Sequence, residues 1–173
     1  MFSLRRWAAR ALDVAAIVIV AAVVVRFAVL PRLPGAAMVA PALTLASLDG
    51  RPFVLAAHRR QLVFLDFWAT WCDPCRDSIP LVQRFRRAHP GVEVISVDVG
   101  EPTVLVKPFV ARFGMRDVAL DPDQTAAHAF GVTGFPTLVA IDPHARVHVV
   151  GIGYDPQVER AMDAALSRYA TVR

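Results

Sequence analysis

The stretch FWATWCDPCR, from Phe67 to Arg76, contains the only two cysteines of the chain, Cys72 and Cys75, which are separated by two residues. The run QLVFLDFW that leads into it is apolar except at its first residue and at one acid, a composition typical of a central strand covered on both faces. The pattern of residues 73–88 predicts a helix with one apolar face. We therefore expect the two cysteines at the corner where a buried strand passes into a helix.

This position predicts a reactive dithiol. Pro74 suits the first turn of a helix, because its missing N–H leaves no helical hydrogen bond unmade there. The unpaired N–H groups and the positive end of the helix dipole at that turn stabilise a thiolate, which lowers the pKa of a cysteine. We expect Cys72 to be an exposed nucleophile, and Cys75, one turn further on, to attack the mixed disulfide formed at Cys72.

Three other uses of the cysteine pair remain open at this stage. A structural disulfide would stabilise little, because the loop between Cys72 and Cys75 is minimal. Zinc would need two more ligands, and His144 and His148 have a suitable spacing, but they lie far downstream on a predicted turn and strand. Two unreactive buried cysteines are the third alternative, although a strand-to-helix corner is an unusual place for them. We predict neither a metal site nor a cofactor.

The chain after Ala42 alternates between predicted strands and helices. The segment ALTLASLDGRPFVL predicts two short strands around an Asp49-Gly50 turn, which favours a hairpin. Further predicted elements are a buried strand in VEVISVDV, a helix over Thr103–Phe113, a short helix in AHAF, an antiparallel hairpin formed by PTLVAID and RVHVVGIG, and a closing helix over Asp155–Tyr169. This order predicts an α/β fold with a central mixed sheet flanked by helices on both faces.

The N-terminal part has a different composition. Residues 11–30 are almost entirely apolar, and twenty helical residues span about 30 Å, the thickness of the hydrocarbon layer of a bilayer. They predict an uncleaved transmembrane helix, with a cleaved signal sequence as the alternative. Arginines before this span predict that residues 1–10 lie in the cytoplasm. Residues 31–41 are then a linker, and residues 42–173 an exported domain in the periplasm or at the cell exterior.

The charge pattern argues against a nucleic-acid partner. The chain of 173 residues has a formal net charge of +4 at pH 7 and a pI of about 9.8. However, its arginines are scattered and form no basic stripe interleaved with aromatic residues. Part of the basic excess flanks the apolar segment, where cations orient a membrane span.

The motifs together resemble a known family. FLDFWATWCDPCRDSIP, followed some sixty residues later by GVTGFPTLVAID, is similar to the thioredoxin superfamily. The leading LTLASLDGRPFVL and the apolar N-terminal segment resemble, more narrowly, the membrane-anchored TlpA/ResA type of extracytoplasmic thiol–disulfide oxidoreductase. The resemblance extends from Ala42 to the C-terminus. It implies a thioredoxin-like fold with an N-terminal β-hairpin extension and an N-terminal transmembrane helix.

The resemblance also implies roles for the catalytic residues. Cys72 matches the attacking cysteine and Cys75 the resolving one, which together form a redox-active disulfide. Asp66, six residues before Cys72, matches the buried acid of thioredoxin. An acid in so apolar a strand is costly to ionise, and a raised pKa would let it relay a proton when Cys75 attacks. The alternative for Asp66 is a solvated acid at a strand end.

Three further residues are candidates for substrate binding. Pro136 matches the cis-proline that faces the active site in this family, where the backbone before it pairs with an extended substrate. Phe135 occupies the variable position and is expected to tune selectivity. Trp71 is expected to shield the sulfurs.

The predicted function is reduction of protein disulfides outside the cytoplasm. Asp73 places a negative charge beside Cys72, which disfavours its thiolate and makes a stronger reductant. The family implies a membrane thiol donor of the DsbD/CcdA type, and substrates that include apocytochrome c and copper-site proteins. The loop from Gly134 to Thr137 departs from the usual loop of the cytochrome-maturation group. The alternatives are a copper metallochaperone and a disulfide oxidase or isomerase; a peroxidase is disfavoured because the sequence around Cys72 lacks the peroxidase motif.

Overall fold

A computed structural model describes residues 17–20 and 38–169, which fall into two separate units. Residues 17–20 are helical. Among the described residues, no helix has both the length and the apolar character needed to cross a membrane. Apart from residues 17–20, the predicted transmembrane segment 11–30 lies outside the described residues, as does the linker up to residue 37.

Residues 38–169 form an α/β domain built on a mixed sheet. In chain order its elements are β1 (Thr44–Ser47), β2 (Phe53–Val54), a 3₁₀ turn (Leu55–His58), β3 (Val63–Trp68), α1 (Asp73–Ala88), β4 (Glu93–Val99), α2 (Thr103–Phe113), β5 (Val118–Asp121), α3 (Thr125–Ala129), β6 (Thr137–Ile141), β7 (Val147–Ile152) and α4 (Val158–Tyr169). The strand order within these residues is β2-β1-β5-β4-β3-β6-β7. Strands β3, β4 and β5 are parallel, and the other pairings are antiparallel.

Strand β3 lies inside the sheet, as its apolar sequence predicts. It pairs in parallel with β4 and antiparallel with β6, and all six of its residues are buried. Its side chains alternate between the two faces. Val63, Leu65 and Phe67 pack on the face that carries α3 and the N-terminal hairpin, whereas Phe64 and Trp68 pack against α1, α2 and α4. The even-numbered residues of β3 therefore face α1, the helix that carries the cysteines.

The predicted hairpin is present, but it belongs to the main sheet. Strands β1 and β2 pair antiparallel, with Leu45 opposite Phe53. Strand β1 also pairs with β5, where Ala46 lies opposite Leu120. The sequence did not predict β5, which has only four residues. The hairpin extension thus continues the central sheet rather than standing apart from it.

The closing helix α4 begins later than expected. The sequence predicts a start at Asp155, whereas the helix begins at Val158. The Asp155 carboxylate accepts a hydrogen bond from the backbone N–H of Gln157 at 2.8 Å, and its carbonyl accepts one from Val158 at 3.0 Å. This turn occupies the residues before the helix.

Candidate active site

The two cysteines form a disulfide at the strand-to-helix corner that the sequence predicts. Their sulfurs are 2.08 Å apart. Cys72 is the N-cap residue of α1, and its Sγ accepts a hydrogen bond from the backbone N–H of Cys75 at 3.2 Å. Pro74 lies in the first turn, where no helical N–H is lost. The Sγ of Cys72 therefore sits at the positive end of the helix.

The disulfide is less accessible than the sequence suggests. Cys72 is only 4% exposed and Cys75 is fully buried. Both belong to an apolar cluster that includes Trp68, Ile79 and Val106. The expectation of an exposed sulfur at Cys72 is therefore wrong for the disulfide form, because side chains from β3, α1 and α2 pack around it.

Access to Cys72 is through a groove of about 530 Å³. Trp71 and Phe135 stand at its edge with ring centroids 5.7 Å apart in an edge-on contact. The side chain of Trp71 is 65% exposed, so most of its ring is open to solvent. The other residues around the groove include Asp73, Val99, Gln124, Ala127, His128 and Val132. Of the three predicted substrate-binding residues, Trp71 and Phe135 therefore lie beside Cys72.

The third, Pro136, follows Phe135 through a cis peptide bond, as the family resemblance implies. It lines a small cavity of about 20 Å³, together with Asp66 and Ser78. Such a volume suffices for one water molecule. Pro136 thus shares a cavity with the buried acid and directly follows a residue of the groove.

Asp66 is a buried acid, as its sequence context predicts. It is 2% exposed, and burial raises its pKa to about 7, although the Arg86 guanidinium opposes part of this shift. A carboxyl group with this pKa exchanges its proton near neutral pH. The alternative of a solvated acid at a strand end does not describe this residue.

The loop before Cys72 is fixed by an acid that the sequence analysis missed. The Glu101 carboxylate accepts hydrogen bonds from the backbone N–H of Thr70 at 2.5 Å and from its hydroxyl at 2.6 Å. The Arg76 guanidinium donates to the carbonyl of Thr70 at 3.1 Å. Glu101 is 6% exposed. The sequence feature that could have indicated Glu101 is the Gly-Glu pair directly after a buried parallel strand. However, the hydrogen-bond partner of Glu101, Thr70, lies 31 residues away in the sequence.

Asp73, between the two cysteines, carries an exposed ion pair. Its carboxylate lies 2.9 Å from the guanidinium of Arg76, and its side chain is 85% exposed. Exposed pairs of this kind are worth at most about 1 kcal/mol. The negative charge of Asp73 is therefore only partly compensated at the first turn of α1.

The histidines considered as zinc ligands have other surroundings. His144 lies in the turn between β6 and β7, and His148 lies on β7. The ring of His148 contacts the Asp142 carboxylate at 3.0 Å and the Tyr169 hydroxyl at 3.2 Å. Over residues 17–20 and 38–169, no group of three or more His, Cys, Asp or Glu side chains is arranged to hold a metal ion.

Comparisons with known proteins show the family of this chain. The family model described as Redoxin matches residues 34–166. The chain belongs to the Redoxin family. It is 36% identical over 117 residues to the thiol-disulfide oxidoreductase ResA of Geobacillus thermodenitrificans, covering 66% of this chain and 67% of that one. It is 32% identical over 130 residues to ResA of Geobacillus kaustophilus, covering 72% and 75%.

The solved structures give the same fold. A structure described as that of a thiol:disulfide interchange protein DsbE from Chlorobium tepidum aligns with a TM-score of 0.70 and 29% identity, covering 76% of this chain and 95% of that one. The thioredoxin-like fold and the resemblance to ResA-type proteins are thus confirmed. This Redoxin family member is a thiol–disulfide oxidoreductase.

Proposed function

We propose that the protein reduces disulfide bonds of other proteins outside the cytoplasm, with Cys72 as the attacking cysteine and Cys75 as the resolving one. The observation that carries this proposal is the position of the Cys72 sulfur, at the first turn of α1 and on the wall of the groove. A groove of about 530 Å³ has room for an extended segment of a partner chain.

The reaction has two exchange steps. The Cys72 thiolate attacks one sulfur of a substrate disulfide, forming a mixed disulfide and releasing the other substrate sulfur as a thiolate. Cys75 then loses its proton and attacks the Cys72 sulfur, which releases the substrate as a dithiol and leaves the Cys72–Cys75 disulfide. A dithiol donor in the membrane, of the DsbD/CcdA type, reduces this disulfide and is itself oxidised.

Asp66 is proposed as the base that takes the proton of Cys75 in the second step. It lies on β3, on the face covered by α1, and its pKa of about 7 matches a group that accepts a proton at neutral pH. The cavity that it shares with Ser78 and Pro136 has room for one water molecule, which could exchange a proton with the Asp66 carboxyl.

Trp71, Phe135 and Pro136 are proposed to bind the substrate. The exposed ring of Trp71 and the ring of Phe135 offer apolar contact area next to the reacting sulfur. An extended substrate segment would pair with the backbone before Pro136. Apocytochrome c and copper-site proteins are the substrate classes that the family resemblance favours.

The surroundings of the disulfide favour a reductase over an oxidase. Strong oxidants of this fold have a stabilised thiolate, and burial in an apolar cluster destabilises one. Here Cys72 and Cys75 pack among apolar side chains, and the carboxylates of Asp73 and Glu101 lie on the same corner. A redox potential well below the value of about −120 mV known for DsbA is expected.

The proposed location is the outer side of the cytoplasmic membrane, facing the periplasm or the cell exterior. The support is the composition of residues 11–30, an apolar stretch long enough to span a bilayer. In this proposal residues 11–30 anchor the chain and residues 42–173 carry the reductase.

Replacing Cys75 by Ser tests the proposal directly. The full-length variant Cys75→Ser is expected to accumulate a mixed disulfide with its substrate at Cys72, because the resolving thiol is absent. The matched control Cys72→Ser/Cys75→Ser is expected to trap nothing. Absence of any trapped protein, or a potential as oxidising as that of DsbA, would contradict the proposal; stoichiometric copper on the reduced wild type would favour a metallochaperone instead.

A further inference from the structure

A fully buried acid without a donor lies behind the active-site loop. Asp98, on β4, has no exposed surface. Within the described residues, neither of its oxygens accepts a hydrogen bond from an N–H or hydroxyl group. The groups that act on it are two more acids, Glu101 and Asp121, and no cation is among them. Unlike Asp66, this acid has no part in the thiol–disulfide chemistry proposed above.

The backbone brings Asp98 and Glu101 together. Gly100, between them, has a φ of 77°, a conformation that favours glycine, and its N–H donates to the carbonyl of Asp121 at 2.9 Å. The chain thus turns sharply at the end of β4. The Glu101 carboxyl, three residues further on, thus belongs to the surroundings of Asp98 and helps to raise its pKa.

Two carboxyl groups can form a hydrogen bond only if one keeps its proton. Both oxygens of Glu101 already accept hydrogen bonds from Thr70. The proton of the pair is therefore assigned to Asp98. Burial, helped by the hydrogen bond and by the charge of Glu101, raises the pKa of Asp98 to about 8.

Glu101 connects this pair to the catalytic sulfur. It holds both the N–H and the hydroxyl of Thr70, two residues before Cys72. The N–H of Cys72 in turn donates to the carbonyl of Ala69 at 3.2 Å. The segment from Ala69 to Cys72 is thus a tight turn whose outer side is anchored on Glu101.

We propose that Asp98 and Glu101 form a proton-sharing pair that positions the Ala69–Cys72 turn, and that thiol–disulfide exchange at Cys72 slows when this pair loses its proton. Asp98 and Glu101 are positioning residues, since neither touches the sulfurs. The inference rests on the proposed role of Cys72 as the cysteine that attacks the substrate disulfide and is then attacked by Cys75.

The direction of the effect follows from the charges. After deprotonation, Asp98 and Glu101 are two buried anions in contact, and no proton remains to join them. Asp121 faces the same point from β5, and its oxygens are already used by the amides of Ala126 and Ala127. Repulsion between the two carboxylates then moves Glu101 and weakens its hydrogen bonds with the N–H and hydroxyl of Thr70.

The variant Asp98→Asn separates this role from simple packing. Asparagine has nearly the same shape and donates an N–H to Glu101, but it does not titrate. The measurement is the rate at which dithiothreitol reduces the Cys72–Cys75 disulfide of the full chain between pH 6 and pH 10. Dividing the wild-type rate by the variant rate cancels the pH dependence of the reagent and of Asp66. Asp123→Asn, which removes an exposed acid just after β5, is the control.

The ratio is expected to be constant below about pH 7 and to fall by about threefold or more at high pH, with a midpoint near 8. The Asp123→Asn ratio should stay flat. A wild-type to Asp98→Asn ratio that does not change with pH would overturn the proposal.

A second measurement on the wild type covers the case that Asp98→Asn does not fold. The ¹³C shift of the Asp98 carboxyl and the amide shift of Thr70 are expected to titrate with the same midpoint. A Thr70 shift that is insensitive to this titration would also overturn the proposal. Neither measurement needs a partner protein, so failure of Cys75→Ser to trap a substrate would count against the reductase role alone.

Discussion

The ring of Trp71 packs edge-on against the ring of Phe135, with centroids 5.7 Å apart, across the mouth of the groove beside Cys72. The two residues come from distant parts of the chain, the turn before α1 and the loop before β6. Phe135 is half-buried and packs against the core, whereas Trp71 is 65% exposed. Their contact therefore gives the groove an apolar edge that a partner protein would bury further.

Replacement of Trp71 by Ala is expected to lower kcat/KM for a protein disulfide by about tenfold, because one buried aromatic contact is worth about 1–2 kcal/mol at an interface. The free energy of unfolding should change by less than about 0.5 kcal/mol, since the side chain is mostly exposed. Reduction of a small aromatic disulfide reagent by the reduced enzyme should be nearly unchanged.

Val149→Ala is the matched control for this prediction. Val149 is an apolar residue on β7 with 57% exposure and does not line the groove. An equal loss of activity in both variants would mean that Trp71 does not contact the substrate.

Asp66 should make stability depend on pH. Its pKa is about 7 in the folded protein and about 4 in the unfolded chain. Between these values the folded protein holds a proton that the unfolded chain releases, so the free energy of unfolding decreases as pH rises from about 4 to about 7. Asp66→Asn lacks this titration and should be more stable than the wild type at pH 8, by roughly 4 kcal/mol at 1.4 kcal/mol per pKa unit.

Urea denaturation at several pH values measures this difference. It should shrink as the pH falls towards 4 and level off below that value, where Asp66 is protonated in both states. A stability difference that is the same at all pH values would contradict the raised pKa. The variant should also release its mixed disulfide more slowly than the wild type if Asp66 takes the proton of Cys75.

Asp73 should make the enzyme more reducing. Its carboxylate lies on the residue after Cys72 and is only partly compensated by Arg76. Asp73→Asn removes this charge and should raise the redox potential by about 10–20 mV, since 30 mV corresponds to about 1.4 kcal/mol and exposed charges act weakly. Equilibration with glutathione measures the potential.

Asp77→Asn is the control for the change of charge. It removes an exposed carboxylate from the same helix, one turn further from the Cys72 sulfur. Its potential should move less than that of Asp73→Asn, and both differences should decrease with added salt. A larger shift for Asp77→Asn would argue against a local charge effect at Cys72.

Local sequence patterns predicted the parts of the fold that depend on neighbouring residues. The apolar run of β3 and the turn chemistry of Pro74 located the strand, the helix α1 and the cysteine corner. Strand β5 was missed because its four residues, Val118–Asp121, are too short for a periodic signal and are defined by their pairing with β1 and β4.

The sequence predicted only those site residues whose type and local sequence context indicate a chemical role. The cysteines, Asp66 and the Pro136 loop could be found in this way, partly through family resemblance. The burial of Cys72 and the hold of Glu101 on Thr70 could not, because each depends on side chains brought together by the sheet. Asp98 gave no signal, since its partner is another acid three residues further on.

Asp121 should stabilise the helix that forms one wall of the groove. Its carboxylate accepts hydrogen bonds from the backbone N–H groups of Ala126 at 3.0 Å and Ala127 at 2.8 Å, and from the Thr125 hydroxyl at 3.2 Å. Asp121→Ala leaves these buried amides without an acceptor and should lower the free energy of unfolding by about 2–3 kcal/mol.

Two milder variants test this assignment. Asp121→Asn keeps one acceptor oxygen and should lose less stability than Asp121→Ala, whereas Thr125→Ala removes only the longest of the three bonds and should lose the least. Because α3 carries Ala127 and His128 on the groove wall, KM for a protein disulfide should rise in the same order as stability falls. Equal stability losses for Asp121→Asn and Asp121→Ala would contradict this assignment. The stabilising effect of Asp121 would then come from its charge and not from its hydrogen bonds to these amides.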